Sequence, residues 1–303
     1  MRAAYTSDIQ QTFSNARFDG KMELNCPMSR YTTFKIGGAA QVLLEAAGLS
    51  DIQTAVDICK TNGHPFFIMG NGSNLLVRDC GYDGVIIRLG SAFSEVSADG
   101  CVICAKAGAL LPQIANFALS KGLSGFEFAA GIPGSAGGAL VMNAGAYGGE
   151  MADIVRSAKV LRNGRVIELS EKELELGYRH SALIGSGDIA LELCYELVPG
   201  NTSDIKSRMD ELREARSSKQ PLNLPSAGSA FKRPEGAFAA KLIDDCGLKG
   251  FSVGGAQVSQ KHAGFVVNAG GATAADVIAL TDIVIEKVRR ETGYLLEREF
   301  III

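Results

Sequence analysis

The stretch "AAGIPGSAGGALVMNAGAYGGE" (Ala129 to Glu150) decides how the chain around it is read. Glycines at 131, 134, 137, 138, 145, 148 and 149 stand among small side chains, so the backbone can turn sharply and a neighbour can approach its amides closely. Successive N–H groups exposed in this way make concave anion sites suited to a pyrophosphate. Two shorter clusters, "FKIGG" (Phe34 to Gly38) and "MGNGSNLLV" (Met69 to Val77), are of the same kind. The second follows a buried-strand signal, "PFFIM", as a dinucleotide loop does. It reads G-x-G-x-x-L, however, and lacks both the third glycine and a helix behind it. No G-x-x-x-x-G-K-[ST] occurs, which excludes phosphoryl transfer of the P-loop kind. A set of tight structural turns would give the same spacing, so spacing alone leaves both readings open.

Outward from these loops the pattern is mixed α and β. Ile52, Ala55, Val56 and Cys59 recur at helical spacing, with Ser50 as N-cap candidate and Asn62-Gly63 as the stop. Asp99-Gly100 and Asn163-Gly164 are hairpin signals, the latter between "SAKVLR" and "RVIEL". A strand is predicted from Ile189 to Val198, and Pro199-Gly200 breaks it. Beyond the break come a charged helix from about Ser203 to Ser218, a short helix in "GAFAAKLIDDCG", and a long one from about Thr273 to Thr292. The last has Thr273 and Asp276 in capping-box spacing and Val277, Leu280, Val284 and Val288 on one face. A final strand, "YLLEREFIII", closes the chain. The expected organisation is a lobe over residues 1–95, a second over 96–202, a smaller one over 203–293, and a returning strand over 294–303.

Bulk composition agrees. A chain of 303 residues exceeds what one hydrophobic core serves, and 47% apolar against 21% charged residues allows a large buried interior. A net charge of −3 argues against nucleic acid or an anionic membrane as the main partner. Cations outnumber anions between Asn201 and His262, which suits a small anionic ligand or a solvated helix face. The polar start "MRAAYTSDIQQTFSN" and the lack of a long apolar run predict a cytoplasmic protein. Seven cysteines, an odd number, predict reduced thiols, and Cys101 and Cys104 read as strand thiols with no metal site.

Ser229, in "LNLPSAGSAFKRPEG" (Leu222 to Gly236), lies outside the G-x-S-x-G elbow and reads by itself as part of a turn. His64 precedes a proline at a strand entrance, and His180 is expected on a strand, facing away from Arg179.

Read in order, "YTTFKIGG", "GNGSNLLV", "GIPGSAGGALVMNAGAYGGE", "YRHS", "PSAGSAFKRP", "KHAGFVVN" and "LEREF" resemble the UDP-N-acetylenolpyruvoylglucosamine reductase family, from Tyr31 to the end of the chain. The resemblance implies an α+β protein: a two-lobed FAD-binding fold of the vanillyl-alcohol-oxidase type plus a smaller α+β substrate-binding domain, in the family's shorter form. It implies reduction, with NADPH as hydride donor, of UDP-N-acetylglucosamine enolpyruvate to UDP-N-acetylmuramate for peptidoglycan precursors. Non-covalent FAD would be held by Gly70, Asn71, Gly72, Ser73, Asn74 and Leu75, and by Gly131, Ile132, Pro133, Gly134, Ser135, Gly137, Gly138, Asn143 and Gly145. Neither FAD loop holds a histidine or cysteine to tether the flavin.

Hydride addition to an unsaturated carboxylate builds up an enolate and then needs a proton at the adjacent carbon. By the family motif Arg179 would bind the carboxylate, Ser229 would donate the proton with help from Lys232 or Arg233, and Glu299 would assist the enolate. Glu297 shares the strand face of Glu299, so the choice between them rests on the motif. Lys232, Arg233, Lys261, His262 and Asn268 are substrate-binding candidates. Arg233 stands where the family often has asparagine, and Phe300 replaces a small aliphatic residue. Two rivals are another FAD-dependent oxidase or dehydrogenase of the same fold and a non-catalytic nucleotide-sugar binder. Retention of Arg179, Ser229 and Glu299 together opposes the second.

Overall fold

The computed structural model describes residues 2–303, with side chains from residue 9 onward. The chain forms two units. The first comprises Met1–Glu23, Val42–Asn71 and Gly84–Arg216, and the second Leu24–Gln41, Gly72–Asp83 and Ser217–Ile303.

In the first unit Phe66–Met69 pairs in parallel with the end of Tyr82–Arg88, from Phe66↔Val85 to Met69↔Arg88. The helix Leu49–Asn62 buries Ile52, Ala55, Val56 and Cys59, the predicted face, and ends at Gly63 with φ 68°. Its start differs from the sequence reading, because Gly48 is the N-cap residue and Ser50 makes no cap. No side chain caps this end; the buried Asp51 carboxylate in its first turn instead takes amides outside the helix, those of Ala47, Asp19 and Gly20, at 2.8–3.0 Å. A carboxylate at a helix N-terminus also gains from the helix dipole, which a serine hydroxyl cannot match.

An antiparallel sheet orders its strands as Arg165–Ser170, Val155–Arg162, Ile189–Glu196, Val102–Lys106 and Val96–Asp99. The Asn163-Gly164 turn has φ 49° and 76°, the pair of left-handed residues that a two-residue hairpin of this kind requires. At the other hairpin Asp99 pairs with Val102, so the turn residues are Gly100 and Cys101, one place later than the Asp-Gly signal. Cys104 lies opposite Cys194 across two strands, with Cα atoms 4.1 Å apart, and the two form a disulfide. The expectation of reduced thiols is thereby corrected. Strand register placed together two residues separated by 90 positions, and parity of the count said nothing about that. Cys101 stays a free thiol.

The second unit has a sheet in the order Ser226–Ser229, Phe265–Asn268, Ala256–Val258, Ser252–Val253. The helix Ala274–Thr292 buries Val277, Leu280, Val284 and Val288, as its spacing predicts. Both halves of its capping box form: Asp276 N donates to Thr273 Oγ1 at 3.0 Å, and Thr273 N to Asp276 Oδ2 at 3.0 Å. Asp79 adds a second acceptor for the amides of Ala274 and Ala275. The closing strand is shorter than predicted. Only Ile301–Ile302 pairs regularly, in parallel with Leu75–Leu76, while residues nearer Gly293 are held by single contacts. Among the described residues no helix is long and apolar enough to cross a membrane, and no cluster of His, Cys, Asp or Glu could hold a metal ion.

Thr273→Ala removes the hydroxyl that takes the Asp276 amide while Asp79 remains, so a loss of about 1 kcal/mol is expected. It would be read as a lower urea midpoint by circular dichroism, and an unchanged midpoint would show that Asp79 alone satisfies this helix end.

Candidate active site

In the first unit the glycine-rich loop is zipped against residues 107–111. Leu111 N donates to Gly134 O at 3.0 Å, Ala136 N to Ala109 O at 2.8 Å and Gly137 N to Ala107 O at 2.8 Å. Part of the amide row that the sequence suggested was open is therefore spent on packing. At Gly137 a Cβ would stand 2.9 Å from the Ala107 Cβ, which explains the glycine without any ligand. Gly145 sits in a short pairing with Glu150, and Ile132 donates its amide to Ala129 O.

What remains points outward from the loop. Ser135 is 2% exposed, and its Oγ has no hydrogen-bond partner among the described residues. A Cβ on Gly70 would lie 2.0 Å from that oxygen, so the glycine keeps the space beside it open. Asn71 Nδ2 donates to Pro133 O at 2.6 Å, which ties the two predicted loops together. A cavity of about 260 Å³ opens beside Gly70 and Asn71, with Arg88, Gly90, Gly108 and Gln113 also on its wall.

Next to Gly131 is a residue that sequence reasoning missed. A Cβ at Gly131 would be 3.0 Å from Arg216 Cδ. Burial pulls the pKa of the Arg216 guanidinium down, and no carboxylate among the described residues pairs with it. A half-buried cation left without an acid partner is unfavourable, and an anion is a fitting complement. The signal was present in the helix Thr202–Lys219. Ile205, Met209 and Leu212 are its buried stripe, and the next position of that stripe is Arg216.

Arg179 is in this unit too, but not on a strand. Gly177 and His180 exchange both backbone hydrogen bonds, at 3.1 and 3.0 Å, so Tyr178 and Arg179 form the tip of a tight turn. Arg179 has φ 52°, a conformation that costs a non-glycine residue about 1 kcal/mol or more. Its guanidinium carbon lies 5.1 Å from the Tyr178 ring centroid. His180 is exposed beside it. Asn143 is fully buried, and its side chain is spent on Gly177 O and Ala152 N.

In the second unit Ser229 ends an edge strand after Gly228, whose φ is 78°. Ala230 N donates to Gly264 O at 2.8 Å, and Glu299 N donates to Ala230 O at 2.9 Å. The Ser229 and Glu299 backbones are thus locked one rung apart. Asn74 reaches Glu299 from the other side: its Nδ2 donates to Glu299 O at 3.2 Å, and its carbonyl accepts Ile301 N at 2.9 Å. Gly72 accepts the Thr33 amide, and Leu75 pairs with Ile301, so these residues and Ser73 between them build the seat of the terminal segment. Glu297 is committed elsewhere, in an ion pair with Lys232 at 3.2 Å. Arg298 points the opposite way, donating to Thr281 Oγ1 and Ile278 O.

The substrate-binding candidates divide. Lys232 faces Glu297, and Arg233 stacks on Phe238 with 4.8 Å to the ring centroid. Lys261 Nζ donates to Ser217 O at 2.6 Å. His262 Nδ1 accepts the Gly264 amide, and burial holds its pKa below the usual histidine range. Asn268 closes a turn onto the amides of Gly270 and Ala272 and donates to Phe34 O.

A family model described as "FAD binding domain" matches residues 40–170, the stretch that contains the Met69–Val77 and Ala129–Glu150 loops. A second, "UDP-N-acetylenolpyruvoylglucosamine reductase, C-terminal domain", matches residues 220–303. The reductase of that name from Alkaliphilus metalliredigens (strain QYMF) is 49% identical over 293 residues, 96% of each chain. That of Clostridium novyi (strain NT) is 45% identical over 96% of this chain and 95% of its own. The crystal structure of the Thermus caldophilus reductase superimposes with a TM-score of 0.81 at 36% identity, covering 94% of this chain and 99% of that one. The fold and its glycine loops thus define an FAD-binding protein of mixed α and β structure. The chain belongs to the UDP-N-acetylenolpyruvoylglucosamine reductase family.

The residues fit the cofactor. An orphaned buried hydroxyl at Ser135, a half-buried cation at Arg216 and the space kept by Gly70 are what an anionic dinucleotide needs. Gly70→Ala drives a methyl group into Ser135 Oγ, so the purified variant should carry little flavin by visible absorbance. Full flavin content in that variant would remove Ser135 from the cofactor site.

Proposed function

We propose that this chain catalyses the NADPH-dependent reduction of UDP-N-acetylglucosamine enolpyruvate to UDP-N-acetylmuramate through bound FAD, in peptidoglycan precursor synthesis. The observation that carries this reading is 49% identity to a curated reductase across 96% of both chains. Bound FAD supplies hydride to the enolpyruvyl group, having taken it from NADPH. The rest falls to side chains. In this reading residues 1–202, together with Arg216, serve cofactor binding, the rest of 203–293 serves substrate binding, and 294–303 return Glu299 to the Ser229 strand.

The Arg179 guanidinium at its turn tip binds the substrate carboxylate, a bidentate task to which a planar fork is suited. It stabilises the negative charge that grows there as hydride arrives. Ser229 donates the proton to the neighbouring carbon. Its place is fixed by the Ala230–Glu299 rung rather than by a histidine, and the nearest cation in sequence, Lys232, is engaged by Glu297. Glu299 assists the enolate, and the family motif selects it over Glu297, which pairs with Lys232 at the surface. Arg216 and Ser135 hold the anionic part of the cofactor. A substrate and a reductant that both carry charged phosphates suit a cytoplasmic reaction.

Arg179→Lys replaces a fork by a point charge, and turnover should fall by roughly 10²- to 10³-fold with flavin content unchanged. Turnover near the wild-type value would make Arg179 a structural turn residue.

Ser229→Ala removes one oxygen from a half-buried strand end, so folding and flavin content should survive. In anaerobic stopped flow, bleaching of the flavin by NADPH should stay fast. Its reoxidation by the enolpyruvyl substrate should slow by about 10²-fold or more. Equal slowing of both halves would mean that the serine shapes the site and moves no proton.

A further inference from the structure

Asn143 was expected at the cofactor, and its side chain is engaged by protein partners on both sides. It is fully buried, and its φ of 39° lies in the left-handed region, which asparagine tolerates better than most residues. The amide has one orientation that satisfies both neighbours: Nδ2 donates to Gly177 O at 3.0 Å, and Oδ1 accepts Ala152 N at 2.9 Å. Gly177 is the first residue of the turn whose tip is Arg179. On the far flank of that turn Ser181, also fully buried, donates its Oγ to Val141 O at 2.9 Å. Both pins therefore run from the end of the short helix Ala136–Val141, which begins directly after Ser135, to the two sides of the Arg179 turn.

A turn tip with a non-glycine residue at φ 52° does not hold itself, and the surrounding structure must impose it. We infer that Asn143 is a positioning residue for Arg179: its carboxamide, fixed between Ala152 N–H and Gly177 C=O, holds the turn that aims the guanidinium. Ser181 is the second pin, and the short helix is the platform for both. The inference rests on the reading of Arg179 as the carboxylate-binding residue.

The test is a double-mutant cycle on the flavin-loaded full chain. Asn143→Gly keeps the left-handed backbone and deletes both side-chain bonds, Ser181→Ala deletes the other pin, and each is combined with Arg179→Ala. Asn143→Gly alone should slow flavin reoxidation by the enolpyruvyl substrate about 10²-fold, the scale of a misplacement near 1 Å, and leave reduction by NADPH near the wild-type rate. Added to Arg179→Ala it should slow reoxidation by less than about twofold further, since no guanidinium remains to be aimed. A readout without flavin chemistry comes from trypsin acting on flavin-stripped protein. Cleavage between Arg179 and His180 should be faster in Asn143→Gly than in the wild type, because proteases need an extended chain. If Asn143→Gly fails to fold, Ser181→Ala carries the test, with about a tenfold loss that disappears in the Arg179→Ala background. Losses that multiply in the double variants, or equal slowing of both half-reactions, would overturn the positioning role. Wild-type reoxidation in Arg179→Ala alone would instead overturn the reading of Arg179, and the proposal with it. The trypsin rates still report separately whether Asn143 holds the turn.

Discussion

The last residues of the chain are the constraint on which the second unit depends. Lys232 N–Glu297 O and Glu299 N–Ala230 O lace one edge of this segment to the Ser229 strand. Ile301 N–Asn74 O and Ile303 N–Leu76 O lace it to the segment after Gly72, and Arg298 turns away to hydroxyl and carbonyl acceptors on the terminal helix. Because strand side chains alternate, fixing Arg298 inward fixes Glu297 and Glu299 outward. A slip of one residue would turn Glu299 inward and present Arg298 in its place. The acid proposed to assist catalysis is thus placed by backbone hydrogen bonds on either side of it.

The first unit solves a different problem. It brings small residues together so closely that side chains would collide, and it leaves Ser135 Oγ without a partner and the half-buried Arg216 guanidinium without a paired carboxylate among the described residues. Those two are costly for the protein alone and favourable once an anion arrives, so the stability of this region and its affinity for a dinucleotide are linked. The same loop then continues through a short helix to the pins of the Arg179 turn.

Local chemistry was legible in the sequence. The capping box at Thr273, the Asn163-Gly164 hairpin and the apolar faces of two helices follow from spacing and turn residues alone. Pairing across the chain was not legible. Cys104 meets Cys194 through strand register, the Asp51 carboxylate gathers amides from Asp19 and Gly20, distant in sequence, and "YRHS" is a turn whose Gly177 carbonyl takes a bond from a buried asparagine on another element. The family motifs singled out Arg179, Ser229 and Glu299, and the structure places Glu297 in a surface ion pair with Lys232. Arg216 could have been found as a cation on an apolar stripe, where a charged residue without a nearby acid implies a ligand.

The central claim is that reduced cofactor returns its electrons to an enolpyruvyl nucleotide sugar. An anaerobic titration tests it most directly. Purified protein is bleached with one equivalent of NADPH, and then one equivalent of UDP-N-acetylglucosamine enolpyruvate is added with oxygen excluded. The account predicts full return of the flavin bands with formation of UDP-N-acetylmuramate. Flavin that stays bleached until air is admitted would contradict it and make the protein an oxidase of the same fold.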